Sequence, residues 1–191
     1  MELKTLFIFI SSLIALASPI VYAKAIFRGE AKPHRTTRLI LLLITSLATA
    51  SLFAQHNTVA IWLAGVSTLQ SILIFILSIK HGMGGWEKKD LLCLFIAVVG
   101  IVLWQTTKNP VIALYASIAA DFTGMIPALI KTFHLPKTEV WTFYALDTVA
   151  AIFSLMAVKN FTIQEFSYPV YILLINFVMV LLIVRPQTNV N

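Results

Sequence analysis

Charge is scarce in this chain. Lysine, arginine, aspartate and glutamate make up 12% of the 191 residues, while apolar residues make up 59%. A soluble globular domain carries about 25% charged residues, so water cannot be the solvent around most of this molecule. A lone cysteine, Cys93, excludes a disulfide within the chain. The histidines, His34, His56, His81 and His134, fall one to a connection with no close pair, so a metal or haem centre lacks its ligands. Gly-x-Ser-x-Gly, His-Glu-x-x-His and phosphate-binding loops are missing, and the last apolar segment has no lysine to carry a retinal. Neither a cofactor, nor a metal, nor an enzyme activity is expected.

What the chain has is long apolar runs, with a mean hydropathy of +0.91. A membrane-spanning helix needs about 20 mostly apolar residues. Seven segments meet or approach that length: Leu3–Phe27, Leu39–Gln55, Val59–Ile79, Leu91–Thr106, Pro110–Phe133, Thr138–Val158 and Phe166–Val184. Lipid offers no partner to free backbone groups, so these must be helices. The fold class is an all-α membrane protein of seven transmembrane helices, with connections too short for a soluble domain. The first 25 residues also read as a secretory signal with Ala-Lys-Ala as cleavage site. Their apolar run exceeds a usual signal core, so they are taken as the first helix. The Asn160 sequon lies too near a membrane edge to carry weight.

The net charge of +6 does not point to nucleic acid, because no basic face with interleaved aromatics exists. Lys24, Arg28, Lys32, Arg35, Arg38, Lys80, Lys88, Lys89, Lys131, Lys137 and Arg185 fall at one side of the predicted spans. Only Lys4, Lys108 and Lys159 fall at the other. That bias places the N-terminus outside and the C-terminus in the cytoplasm, in a plasma (inner) membrane. The expected partners are the lipid bilayer and a small-molecule solute, and a homo-oligomer is compatible with the sequence. Trp86 reads as an interfacial anchor.

An internal repeat organises the chain. Pro19 in the first helix and Pro127 in the fifth stand at matching depths, each followed by a basic residue, a second proline and threonine. The division is a three-helix unit over 1–80, a linker with helix four over 81–109, and a second three-helix unit with a short tail over 110–191. An odd linker leaves both units in the same orientation, as in parallel-repeat transporters. A proline inside a helix removes a hydrogen bond and kinks it, so Pro19 and Pro127 are candidate hinges; fixed kinks that only shape packing are the alternative.

The stretch "IPALIKTFHLPKTEVWTFYALDT" resembles the SWEET and PQ-loop superfamily of seven-helix transporters. The similarity is closest to the lysosomal cystine exporter type, through Lys137, Thr138, Glu139, Trp141, Leu146 and Asp147. The resemblance implies two parallel three-helix bundles joined by a linker helix (3+1+3), with a hinge proline in the first helix of each. The glutamine expected after each hinge proline is Ile20 or Ala128, and the glycines expected after the aspartate are Val149 and Ala150. Related sorting receptors hold peptide with arginines inside the bundle, and none of the segments above contains an arginine.

Polar residues at mid-depth mark the expected site. Asp121, Asp147 and Asn176 are the twelfth, tenth and eleventh residues of their segments, near the bilayer midplane. A charge there costs about 2.5–3.5 kcal/mol on insertion scales, so such groups usually face a cavity or a partner. Asp147 is the candidate proton-coupling group, expected within reach of Tyr144 and Asn176. Interhelical glue is the plainer role for each. Asn176, Tyr144, Asp121, Thr68 and Gln70 are candidate solute contacts, and Glu139 with Lys131 a candidate gate. The function expected is alternating-access transport of a small polar metabolite, with a non-transporting receptor or scaffold as the alternative.

Overall fold

The computed structural model describes residues 3–31, 33, 35–82, 88–134, 136–159 and 162–186, with all their side chains except those at 37, 89, 90, 93, 97, 127, 131, 138 and 164. Trp86 and Asn160 therefore lie outside the described residues, as do the side chains of Cys93, Pro127 and Lys131. Seven α-helices account for most of the chain: α1 (Leu3–Phe27), α2 (Arg35–Ala54), α3 (Ala60–His81), α4 (Lys88–Thr107), α5 (Pro110–His134), α6 (Trp141–Ala157) and α7 (Ile163–Val184). A 3-10 turn, Pro136–Thr138, precedes α6. Among the described residues there is no strand.

The ends of the helices follow from local chemistry. Gly29 closes α1 at φ 74°, and Gly29 N–H and Glu30 N–H return to Ile26 O and Ala25 O, a left-handed cap. His56 repeats that geometry after α2 at φ 52°. The Asn57 side chain then accepts from the N–H groups of Val59 and Ala60 at 3.0 and 2.7 Å and opens α3. Pro110 opens α5, where its missing N–H costs nothing.

Of the boundaries that differ from the sequence expectation, two matter for the site. The apolar run begins at Leu39, but α2 starts at Arg35, which brings Arg38 into the helix. The expected helix over Thr138–Val158 divides instead. Pro136 favours a tight turn, Val140 is extended, and α6 begins at Trp141. Asp147 is thus the seventh of the 17 residues of α6, and Asn176 the fourteenth of the 22 of α7.

Among the described residues four helical stretches are long and apolar enough to cross a membrane: Leu3–Phe27, Ala60–His81, Pro110–His134 and Glu165–Val184. Arg38–Ala54, Leu94–Thr107 and Trp141–Ala157 are shorter apolar helices. The exterior carries Phe9, Leu13, Trp62, Leu69, Phe95, Phe122 and Leu174, all exposed, which suits hydrocarbon. The molecule is an all-α protein of membrane character.

Helix α3 packs against both α1 and α2, and α7 against both α5 and α6. Among the described residues the backbones of α1 and α2 stay apart, as do those of α5 and α6, and α1 meets α2 through the side chains of Tyr22 and Arg38. Between the halves α1 lies against α6, α2 against α5, and α3 against α7. Exchanging α1, α2, α3 for α5, α6, α7 returns this set of neighbours, apart from a minor contact of α3 with α6. Helix α4 lies on α5 and α2, so close that a Cβ on Gly100 would stand 2.3 Å from that of Ala116. Small side chains close one end of the interior. Ala15, Ala60, Ala64, Ala150 and Ala151 pack with Leu52, Leu63 and Leu114, and Ser11 Oγ donates to Ala150 O at 2.7 Å across α1 and α6.

Candidate functional site

Above that closed end the helices part around a cavity of about 460 Å³, within the usual range for small-molecule sites. Its wall takes residues from every helix except α4. It runs from Ala48, Leu63 and Ser117 to Pro33, Arg38 and Glu139 beside the loops that carry the basic residues.

Asp147 holds the deepest link between the halves. Its Oδ1 accepts from Ser18 Oγ at 2.6 Å, and its Oδ2 from Gln70 Nε2 at 3.1 Å. Ser18 Oγ also lies 3.1 Å from Ala15 O and 3.2 Å from Gln70 Oε1. It has one proton to give, and the short distance to Asp147 is the range of a charge-assisted hydrogen bond. Ser18 is fully buried and directly precedes Pro19 within α1, so that proline sits beside the carboxylate that ties α6 to α1 and α3.

The partners expected of Asp147 are otherwise engaged. Tyr144 Oη donates to Glu139 Oε2 at 3.2 Å, because helical side chains lean toward the N-terminus of their helix. Asn176 Nδ2 donates to Ile172 O one turn back at 2.8 Å. Both residues line the cavity without a hydrogen bond to Asp147. Asp121 lines it as well and accepts a hydrogen bond from Tyr171 of α7. Gln70 is in the wall. Thr68 is not; it pairs with Thr49 at 2.8 Å and lines a separate groove with Phe53, Ile61 and Trp104.

Four residues escape a reading of the sequence: three in the wall, and Ser18, which stands behind it as a partner of Asp147. Ser18 is one. Arg38 is the second, and it corrects the expectation that no arginine lies inside the helices. Its Nη2 donates to Tyr22 Oη at 2.9 Å, its guanidinium lies 5.0 Å from the centre of the Tyr22 ring, and Glu139 and Asp121 are within electrostatic reach. Glu139 therefore has a basic neighbour at the mouth in Arg38. Tyr22 continues into Phe143 and Tyr144, with ring centroids 4.7 and 4.9 Å apart along the row. Tyr168 and Tyr171 complete the four. A count back from Asn176 by helical turns reaches Ile172 and Tyr168, and that spacing was the available signal. Pro19 is buried within α1.

No family model, curated protein or solved structure matches the chain.

Proposed function

We propose that this chain is an alternating-access transporter of a small polar metabolite in a plasma (inner) membrane, coupled to protons through Asp147. In this reading seven spans form two like-oriented three-helix bundles, α1–α3 and α5–α7, joined by α4, with the N-terminus outside. The exchangeable neighbours of the two halves support the arrangement. So does the resemblance to SWEET and PQ-loop transporters around Lys137 to Asp147.

The observation that carries the reading is the Ser18–Asp147–Gln70 link. A carboxylate inside the bundle is held across the boundary between halves by neutral donors. Protonation of Asp147 changes what it offers them, since a carboxylate only accepts and a carboxylic acid also donates. A proton on that group thus biases the two halves between arrangements. The cavity is open toward Arg38 and Glu139 and closed by alanine packing beyond Leu63. Under the positive-inside orientation this is an inward-open form, with Pro19 and Pro127 as the hinges and Glu139 with its basic neighbours as the inner gate.

The test is flux into liposomes under an imposed pH gradient. Asp147→Asn keeps the shape and one acceptor, and its new NH2 group can donate to Gln70 Oε1 once the Gln70 amide turns, but it cannot titrate. It is expected to fold, to retain solute exchange, and to lose accumulation driven by the gradient. Wild-type accumulation in that variant would remove Asp147 from the coupling. A folded wild-type protein with no saturable flux for amines, amino acids, sugars or vitamin-like solutes would favour a receptor or scaffold.

A further inference from the structure

The deep part of the cavity carries two carboxylates whose hydrogen bonds come from neutral donors; Arg38 reaches Asp121 electrostatically from the mouth, and Asp147 has no counter-charge among the described residues. Asp147 meets only the neutral Ser18 and Gln70, and Asp121 takes its hydrogen bond from the neutral Tyr171. Among the described residues no lysine, histidine or second arginine lines the space. Arg38 is the one cation in the wall, and it is committed at the mouth, donating to Tyr22 and stacked on its ring with Glu139 in reach. A desolvated carboxylate without a counter-charge is costly, and a visiting cation removes that cost where a neutral or anionic solute does not.

A second observation points to the same ligand. The Tyr168 side chain is 3% exposed, forms part of the cavity wall, and its hydroxyl closes no well-formed hydrogen bond, although Ser67, also in the wall, stands near enough to bear on it. It stands within electrostatic reach of both Asp121 and Asp147. A buried hydroxyl so placed is an acceptor for an N–H, and the tyrosine rings around it offer the negative faces that attract a cation.

We infer that the cavity takes a small organic cation, an amine or quaternary ammonium on an aromatic or aliphatic body, with its nitrogen at Tyr168 in the field of Asp121 and Asp147. The inference rests on the transport reading and names its substrate class. A zwitterion fits less well, because the only cation that would receive its carboxylate is already engaged. A proton and an organic cation then compete for one carboxylate, which is the condition for their exchange.

Equilibrium calorimetry on the full chain in detergent micelles tests this with solutes of matched shape. Tyramine is set against tyrosol, tyrosine and 3-(4-hydroxyphenyl)propanoate, and choline against its neutral isostere 3,3-dimethylbutan-1-ol. The cations are expected to bind about tenfold or more tightly than their neutral partners, as loss of a hydrogen bond to a charged group implies. Asp121→Asn and Asp147→Asn are each expected to lower cation binding about tenfold and leave the neutral solutes unchanged. Equal or tighter binding of the neutral, zwitterionic or anionic member overturns the inference, as does the absence of binding by both cations. The wild-type series stands without the variants should either fail to fold. Cation binding without flux in liposomes would refute transport and keep the substrate class. Saturable flux of a neutral or anionic solute without cation binding would do the reverse.

Discussion

Helices α1–α3 and α5–α7 occupy equivalent places among their neighbours, yet they bring opposite chemistry to the space between them. The second set supplies Asp121 and Asp147 with Tyr144, Tyr168 and Tyr171. The first supplies Ser18, Gln70 and Tyr22, and its one charge is the guanidinium of Arg38. In the transporter proposed above, carboxylates on one side suffice. The other side fixes a carboxylate by donating hydrogen bonds, and a change of its protonation state would release that hold.

The largest way to break this comparison is Asp147→Leu, which strands the Gln70 amide and turns the Ser18 proton back to Ala15 O. A buried donor left unpaired costs about 1–3 kcal/mol, so thermal unfolding of the purified protein should fall by several degrees. Asp147→Asn should stay near the wild type. Equal losses in the two variants would mean that shape, not the polar link, holds the halves together. A smaller effect is expected of Arg38→Ala, which removes the Tyr22 hydrogen bond and a cation–π contact of about 0.5–2 kcal/mol. Arg38→Lys should recover only part of the loss, since an ammonium lacks the planar stacking fork; full recovery would reduce Arg38 to a point charge. The smallest effect belongs to Thr68→Val. The Thr49–Thr68 pair is worth about 0.6 kcal/mol on the scale of interhelical hydrogen bonds, and solute binding should not change. A tenfold loss of binding would return Thr68 to the site.

The helices were legible because hydrocarbon imposes one rule on the whole chain: long apolar runs become helices. The acids stood out for the same reason, since Asp121 and Asp147 have no place in lipid unless something inside receives them. Hydropathy could not follow the chain where polar residues continue a helix. Arg35 to Arg38 extend α2 by a turn, and that turn carries the cation of the cavity wall. Nor could it find Ser18 or Tyr168, which look like ordinary helical residues until the other helices surround them. Pairing is a property of packing. Asn176 and Tyr144 were placed at the right wall, but their hydrogen bonds go to Ile172 and Glu139, because each meets a partner on its own side of the cavity first.

The alanine-packed end has a meaning in terms of leakage. Between α1 and α6 that end is methyl against backbone, bridged by the single Ser11 hydroxyl, too tight for a file of water. Protons hop along connected water and not through packed alkyl groups, so this stretch acts as electrical insulation. If the protein is the transporter proposed above, an ion that crosses has to wait for the helices to part, and a gradient across the resting protein is preserved. Side chains larger than alanine would hold the helices apart and leave a wet seam, and such a transporter would then waste driving force in each cycle.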